Sequence, residues 1–176
     1  MPTIRSRLAL PGGRASVPKP PVPRPTEPRP ADPAVAIAAQ REAAARHHFA
    51  LLTEAERTAA ERVLAGGTVR GRRRHASGHR HLLRWAELVG RYAWIGGELW
   101  GNPFRPWREE GRRPTAEELA ESHRRYRAHV LASPDLVARL PELRGKVLAC
   151  ACPPDAPCHG DVLLELLELL GREDEA

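Results

Sequence analysis

Apolar positions are sparse and irregular through residues 1–33, then recur with helical spacing, and close up into an unbroken run only near residue 147. From Pro33 to Ala65 good helix formers dominate. Asp32 is placed to cap and Pro33 suits a first turn, so AVAIAAQREAAARHHFALL predicts one helix. Thr53 with Glu56 makes a capping box that opens a second, TEAERTAAERVLAGG, ended by Gly66 and Gly67. Together they predict an α-helical hairpin with an alanine-rich seam over residues 34–67. His47 and His48 are neighbours on it, face different ways, and read as surface or interface residues.

Beyond the hairpin the periodicity alternates between strand and helix. Tyr92-Ala93-Trp94-Ile95 alternates as a strand does, and Gly96-Gly97 ends it. Gly101-Asn102-Pro103-Phe104 is a turn. Thr115 and Glu118 form another capping box, and the helix they open carries an apolar stripe through Leu119, Tyr126 and Val130. Its His123, Arg124, Arg125 and Arg127 face solvent or a ligand. Ser133-Pro134 restarts a short helix to Leu140. Lys146 to Ala151 is an apolar run of strand length, halted by Pro153, Pro154 and Pro157. From Asp161, DVLLELLELL is a helix with a stop at Gly171. The fold class is therefore α/β: a small domain over 68–171 with a short sheet flanked by helices.

Composition changes the picture at the two ends. Residues 1–33 hold 10 of the 18 prolines, too few apolar groups to offset the entropy of ordering, and read as a polyproline-like or disordered tail. Residues 172–176 form an acidic tail. No apolar run approaches bilayer length, and Leu8-Ala9-Leu10 is too short for a signal peptide, so a soluble protein with no membrane partner is expected. Three cysteines within nine positions argue against a secreted disulfide framework and for a reducing cytoplasm.

The formal charge of +6 favours an acidic partner, nucleic acid or a nucleotide first. The most basic segment, RGRRRHASGHRHLLR at 70–84, reads either as a phosphate-contacting loop using Arg72, Arg73, Arg74 and Arg80 or as a solvated one. His75, His79 and His81 lie within it, with no scaffold to make them converge on a metal.

All three cysteines fall between Leu143 and Leu164, at the carboxyl end of a strand and the amino end of the next helix. In α/β proteins that crevice binds ligands, because unpaired helix N–H groups and the helix dipole point into it. Two chemistries fit. Cys150, Cys152, Cys158 and His159 are four zinc-type ligands within ten positions, although the spacing is not that of a common ribbon or finger. Adjacent residues entering a helix rarely aim at one point, so three thiolates with a ligand from elsewhere are easier to build than a site using all four. Alternatively Cys158, at a helix amino terminus beside His159, is an activated thiolate, with Cys150 or Cys152 as resolving thiol. Asp161 either orients the His159 ring or stabilises the first helical turn.

The motifs Gly101-Asn102-Pro103-Phe104, Tyr126-Arg127, Leu143 to Lys146, Cys150-x-Cys152 and Pro157 to Asp161, in that order, resemble the Domain of Unknown Function 4326 family of uncharacterised bacterial and phage proteins. The likeness covers Arg91 to Leu170. Two positions depart from the family pattern: Gly97 stands where Arg is usual, and Ala151 replaces a Trp between the first two cysteines. The resemblance implies no established activity.

Two functions follow. One is an enzyme-like domain that binds a nucleotide or nucleic-acid phosphate at the strand–helix junction. In it Cys158, His159 and Asn102 carry the chemistry, and Gly160, Asp161, Trp100 and Gly101 hold the bound group. The other is a non-catalytic nucleic-acid-binding module in which zinc sits on Cys150, Cys152, Cys158 and His159. Whether the protein is an enzyme stays open at this stage.

Overall fold

The computed structural model describes residues 32–73, 78–106, 113–153 and 156–173. The proline-rich tract, the acidic end from residue 174, and Arg74, His75 and Trp107 lie outside them. From Asp32 onward the chain is one compact unit.

At its centre is β3 (Val147–Cys150), paired in parallel with β1 (Val69–Arg72) on one side and β2 (Tyr92–Trp94) on the other. Val69 and Tyr92 both stand opposite Val147, Arg72 opposite Cys150, and Trp94 opposite Ala149. Because the pairing is all parallel, the three carboxyl ends share the edge where Cys150 lies. Every residue of β3 is buried, as expected of a strand covered on both faces. Alternation sends Val147 and Leu148 to opposite sides. Val147 joins Ala60, Val63, Leu82 and Trp85 beneath α1 (Pro33–Ala50), α2 (Glu54–Leu64) and α3 (Arg80–Leu88). Leu148 and Cys150 join Ile95, Tyr126, Leu163 and Leu166 beneath α4 (Ala116–Leu131) and α6 (His159–Glu173). A short α5 (Pro134–Arg139) and a 3-10 turn at Leu140–Leu143 lead into β3.

The two N-terminal helices form with their expected caps. The Ala34 N–H donates to Asp32 Oδ1 at 2.9 Å, and Thr53 and Glu56 exchange both hydrogen bonds of the box. Both helices contact α3, and their core residues are continuous with those of the sheet. Residues 70–84, read above as a basic loop, instead begin with β1 and end in α3. In β1, Val69 and Gly71 are buried while Arg70 and Arg72 remain partly exposed. A β-carbon on Gly71 would lie 2.5 Å from Leu83 Cδ2 and 2.7 Å from Val147 Cγ1, so α3 approaches the sheet through the missing side chain. α6 also differs from expectation. It starts two residues before Asp161, because Cys158 caps it, and it runs through Gly171. The surroundings of Gly171 are open, and an interior glycine costs a helix only about 1 kcal/mol relative to Ala. No helix among the described residues is long and apolar enough to cross a membrane.

Where α1 meets α3, His48 Nδ1 lies 3.0 Å from His81 Nδ1, so one ring donates and the other accepts. Burial first, then His81, His47, Arg84 and Arg80, lower the pKa of His48. The unfolded chain therefore takes up this proton at a higher pH than the folded one. The stability tied to neutral His48 is present above about pH 6.5 and is lost as pH falls through the lower folded value. The urea midpoint should drop between pH 7.5 and pH 5.5, and His48→Gln should make that drop smaller. An unchanged pH profile in the variant would remove His48 from the account.

Candidate metal centre

Cys150 ends the central strand, Cys152 follows in the loop, and Cys158 is the last residue before α6. Their backbone positions differ, yet the three Sγ atoms lie within 4.8 Å of one another. The Cys150 and Cys158 sulfurs are 3.1 Å apart and both are buried. Cys152 is half-buried, and its sulfur is 3.3 Å from His159 Nδ1. On the far side of that ring, Nε2–H donates to the carbonyl of Ile95 at 2.8 Å. This bond fixes the tautomer and leaves the Nδ1 lone pair on the sulfur side. Burial lowers the pKa of His159, which keeps the ring neutral, and Tyr126 packs edge-on to it with centroids 5.7 Å apart.

The amino end of α6 is closed by its own side chains. The Cys158 N–H donates to Asp161 Oδ2 at 3.0 Å, and the Gly160 N–H donates to Cys158 Sγ at 3.3 Å. Arg70 reaches over from β1 and holds Asp161 Oδ1 at 2.7 Å. Asp161 therefore stabilises the helical turn and does not bond the His159 ring. Gly160 is needed for close packing, since a β-carbon there would lie 2.9 Å from Ile95 Cδ1.

The electrostatics of the three thiols show what the cluster lacks. Hydrogen bonds from Cys152 and then Cys158 draw Cys150 far below the usual thiol range. Its bond to Cys150 pushes Cys152 up to about 11, and bonds to Cys150 and Cys152 push Cys158 far up as well. Three sulfurs this close accommodate one negative charge between them. They can all ionise only around a cation.

The turn that supplies Asn102 borders the same site. Asn102 donates from Nδ2 to Ser122 Oγ at 2.9 Å and accepts the Phe104 N–H on Oδ1 at 2.8 Å. One end of its amide pins the turn to α4, and the other closes the turn on itself. The Gly101 N–H donates to the Gly97 carbonyl at 2.7 Å. Trp100 is buried in the core beside Ile95 and Tyr126, and its carbonyl accepts the Tyr126 hydroxyl at 2.6 Å. The structure thus brings the sulfurs of Cys150, Cys152 and Cys158 together, with His159 against Cys152 alone and Asn102 lining the same cavity as Cys152 and His159. Trp100 and Gly101 build the turn, while Gly160 and Asp161 close the helix start. Sequence reasoning missed the Ile95 carbonyl, Arg70, Arg105 and Ser122.

Residues 71–169, more than half of the chain, match the family model described as Domain of unknown function (DUF4326). The chain belongs to that family. No curated protein and no solved structure matches it. The DUF4326 match starts about twenty residues before Arg91, so it takes in the second half of β1 and all of α3. It leaves α1 and α2 outside. All three cysteines and His159 lie within it.

Tyr126 is almost wholly buried, so Tyr126→Phe strands the Trp100 carbonyl without its donor. The variant should lose about 1–3 kcal/mol in urea unfolding. A loss below about 0.5 kcal/mol would mean that the hydrogen bond contributes little to holding the turn.

Proposed function

We propose that this DUF4326 chain is a metal-anchored binding domain, in which Cys150, Cys152 and Cys158 hold one zinc-type ion and His159 Nδ1 completes the set. The observation that carries this reading is the convergence of three sulfurs from a strand end, a loop and a helix start. Soft thiolates with one imidazole favour zinc over hard cations, and tetrahedral geometry asks for four such donors. A ligating histidine almost always gives its other N–H to a carbonyl or carboxylate, as His159 does to Ile95. A site closed by four protein ligands is structural. Its effect is to clamp the loop between β3 and α6. The alternative of a free nucleophile is weakened by the burial of Cys158, which is 2 % exposed. The reading of a phosphate at the helix start is weakened because Asp161 and the Cys158 sulfur already take the first N–H groups.

Protein purified without chelator should contain one zinc per chain. A Co(II)-exchanged sample should show thiolate-to-cobalt charge transfer that disappears in Cys158→Ser. With free metal at about 100 times Kd, bound zinc adds about 2.7 kcal/mol to stability, so chelation should lower the melting temperature. His159→Gln should keep the charge transfer while shifting the cobalt d–d bands. Metal-free protein whose three thiols all react quickly in the native state would overturn the proposal.

A further inference from the structure

Between the Asn102 turn, α4 and the loop after β3 lies a cavity of about 300 Å³ whose inner edge is formed by Cys152 and His159. Its polar groups have donors to spare. The Arg105 guanidinium is held by two backbone carbonyls, Nε–H to Asn102 at 3.2 Å and Nη2–H to Gly96 at 3.1 Å. It has no carboxylate partner among the described residues. By contrast Arg46, Arg70, Arg84, Arg124, Arg127 and Arg139 each pair with one. Ser122, 4 % exposed, accepts from Asn102 on its oxygen, so its own hydroxyl proton finds no acceptor among the described residues. His123, next on α4, lines the cavity and has no hydrogen bond to any described residue. The acids nearest to it, Asp161 and Glu165, are engaged by Arg70 and Arg127. Arg105, Ser122 and His123 therefore line one cavity, and no carboxylate among the described residues pairs with any of them. The remaining wall, with Leu119, Pro153 and Pro157, is apolar.

We propose that this cavity binds a small metabolite through an oxyanion, phosphate or carboxylate. Arg105 is its charge partner, Ser122 and His123 donate to it, and the rest of the ligand rests on the apolar wall. Charge-assisted bonds from a guanidinium held in a fixed plane suit both groups. The volume is at the small end of ligand cavities, which run from about 300 to 1,000 Å³, and so selects a compact molecule over a polymer. The proposal rests on the metal reading only in that the metal would hold the Cys152–His159 edge in place.

The test uses the full chain as purified without chelator, titrated with inorganic phosphate, with sodium acetate, and with sodium chloride at matched ionic strength. Backbone amide shifts report the site. Phosphate or acetate, but not chloride, should move the amides of Gly96, Ser122 and His123 saturably. A response to phosphate alone or to acetate alone assigns the oxyanion class, and a response to both supports the shared chemistry. Arg105→Gln should weaken binding about tenfold, the loss of one charge-assisted hydrogen bond. Arg105→Lys should recover part of it, and Arg124→Gln on α4 should change nothing. Absence of saturable shifts, or equal losses in Arg105→Gln and Arg124→Gln, would overturn the proposal. Zinc content measured on the same samples separates the two readings. Shifts without stoichiometric metal would leave the cavity site standing and remove the metal centre, and metal without shifts would do the reverse.

Discussion

Three sulfurs brought together, two of them buried, set the terms for the rest of this structure. Each is an ordinary small packing group when neutral, and together they are a destabilising cluster when ionised without a cation. Their positions are dictated by the sheet. Cys150 is fixed by strands on both sides, while Cys158 is fixed by α6 packing Leu163 and Leu166 onto the same face. The loop between them has only to place Cys152. The site is therefore a product of the core, assembled from its two most constrained segments, and a metal bound there would tie the sheet to α6 at the point where chain direction reverses.

The pairing of Arg70 with Asp161 decides what that reversal can recognise. In many α/β proteins a helix start facing the carboxyl edge of a parallel sheet is a phosphate site, because its N–H groups and dipole are uncompensated. Here a carboxylate from the helix's own first turn fills the position, and a guanidinium from the neighbouring strand neutralises it. A buried sulfur takes a further N–H. The same fold geometry that would make an anion site has been completed internally. At Arg105, which lines the cavity beside Cys152, the described residues offer the guanidinium backbone carbonyls and no carboxylate.

Much of this architecture was legible in the residues. The capping boxes at Thr53 and Thr115, the apolar run before Cys150 and the proline-framed loop after it all specify elements through local chemistry that tertiary contacts do not override. The three-cysteine cluster was legible for the same reason, since cysteines on either side of a proline-framed loop have few packing explanations. β1 was hidden because Val69-Arg70-Gly71-Arg72 has one β-branched residue and a glycine whose value lies in the approach of Leu83. α3 was obscured by arginines, although Leu82, Trp85 and Ala86 fall on one helical face. The cavity could not be read at all. Arg105, Ser122 and Cys152 come from three separate segments, and the bonds that orient them run to backbone carbonyls and to Asn102.

Net charge is a poor guide to partner in such a chain, and the fate of the individual arginines shows why. The basic segment loses Arg70 to Asp161 and Arg84 to Glu87, and Arg73 lies over the Trp94 ring at 5.0 Å. On α4, Arg124 pairs with Glu121 and Arg125 lies over Phe104. These contacts use the planarity of the guanidinium to cover apolar and acidic surface, work that lysine does less well. An excess of +6 is then compatible with a chain in which many of the described arginines are committed to the protein itself. Recognition must be sought where a cation is held rigid by groups that do not neutralise it. Backbone carbonyls do this for Arg105: they orient the guanidinium without cancelling its charge, and an incoming oxyanion would meet a donor already in place.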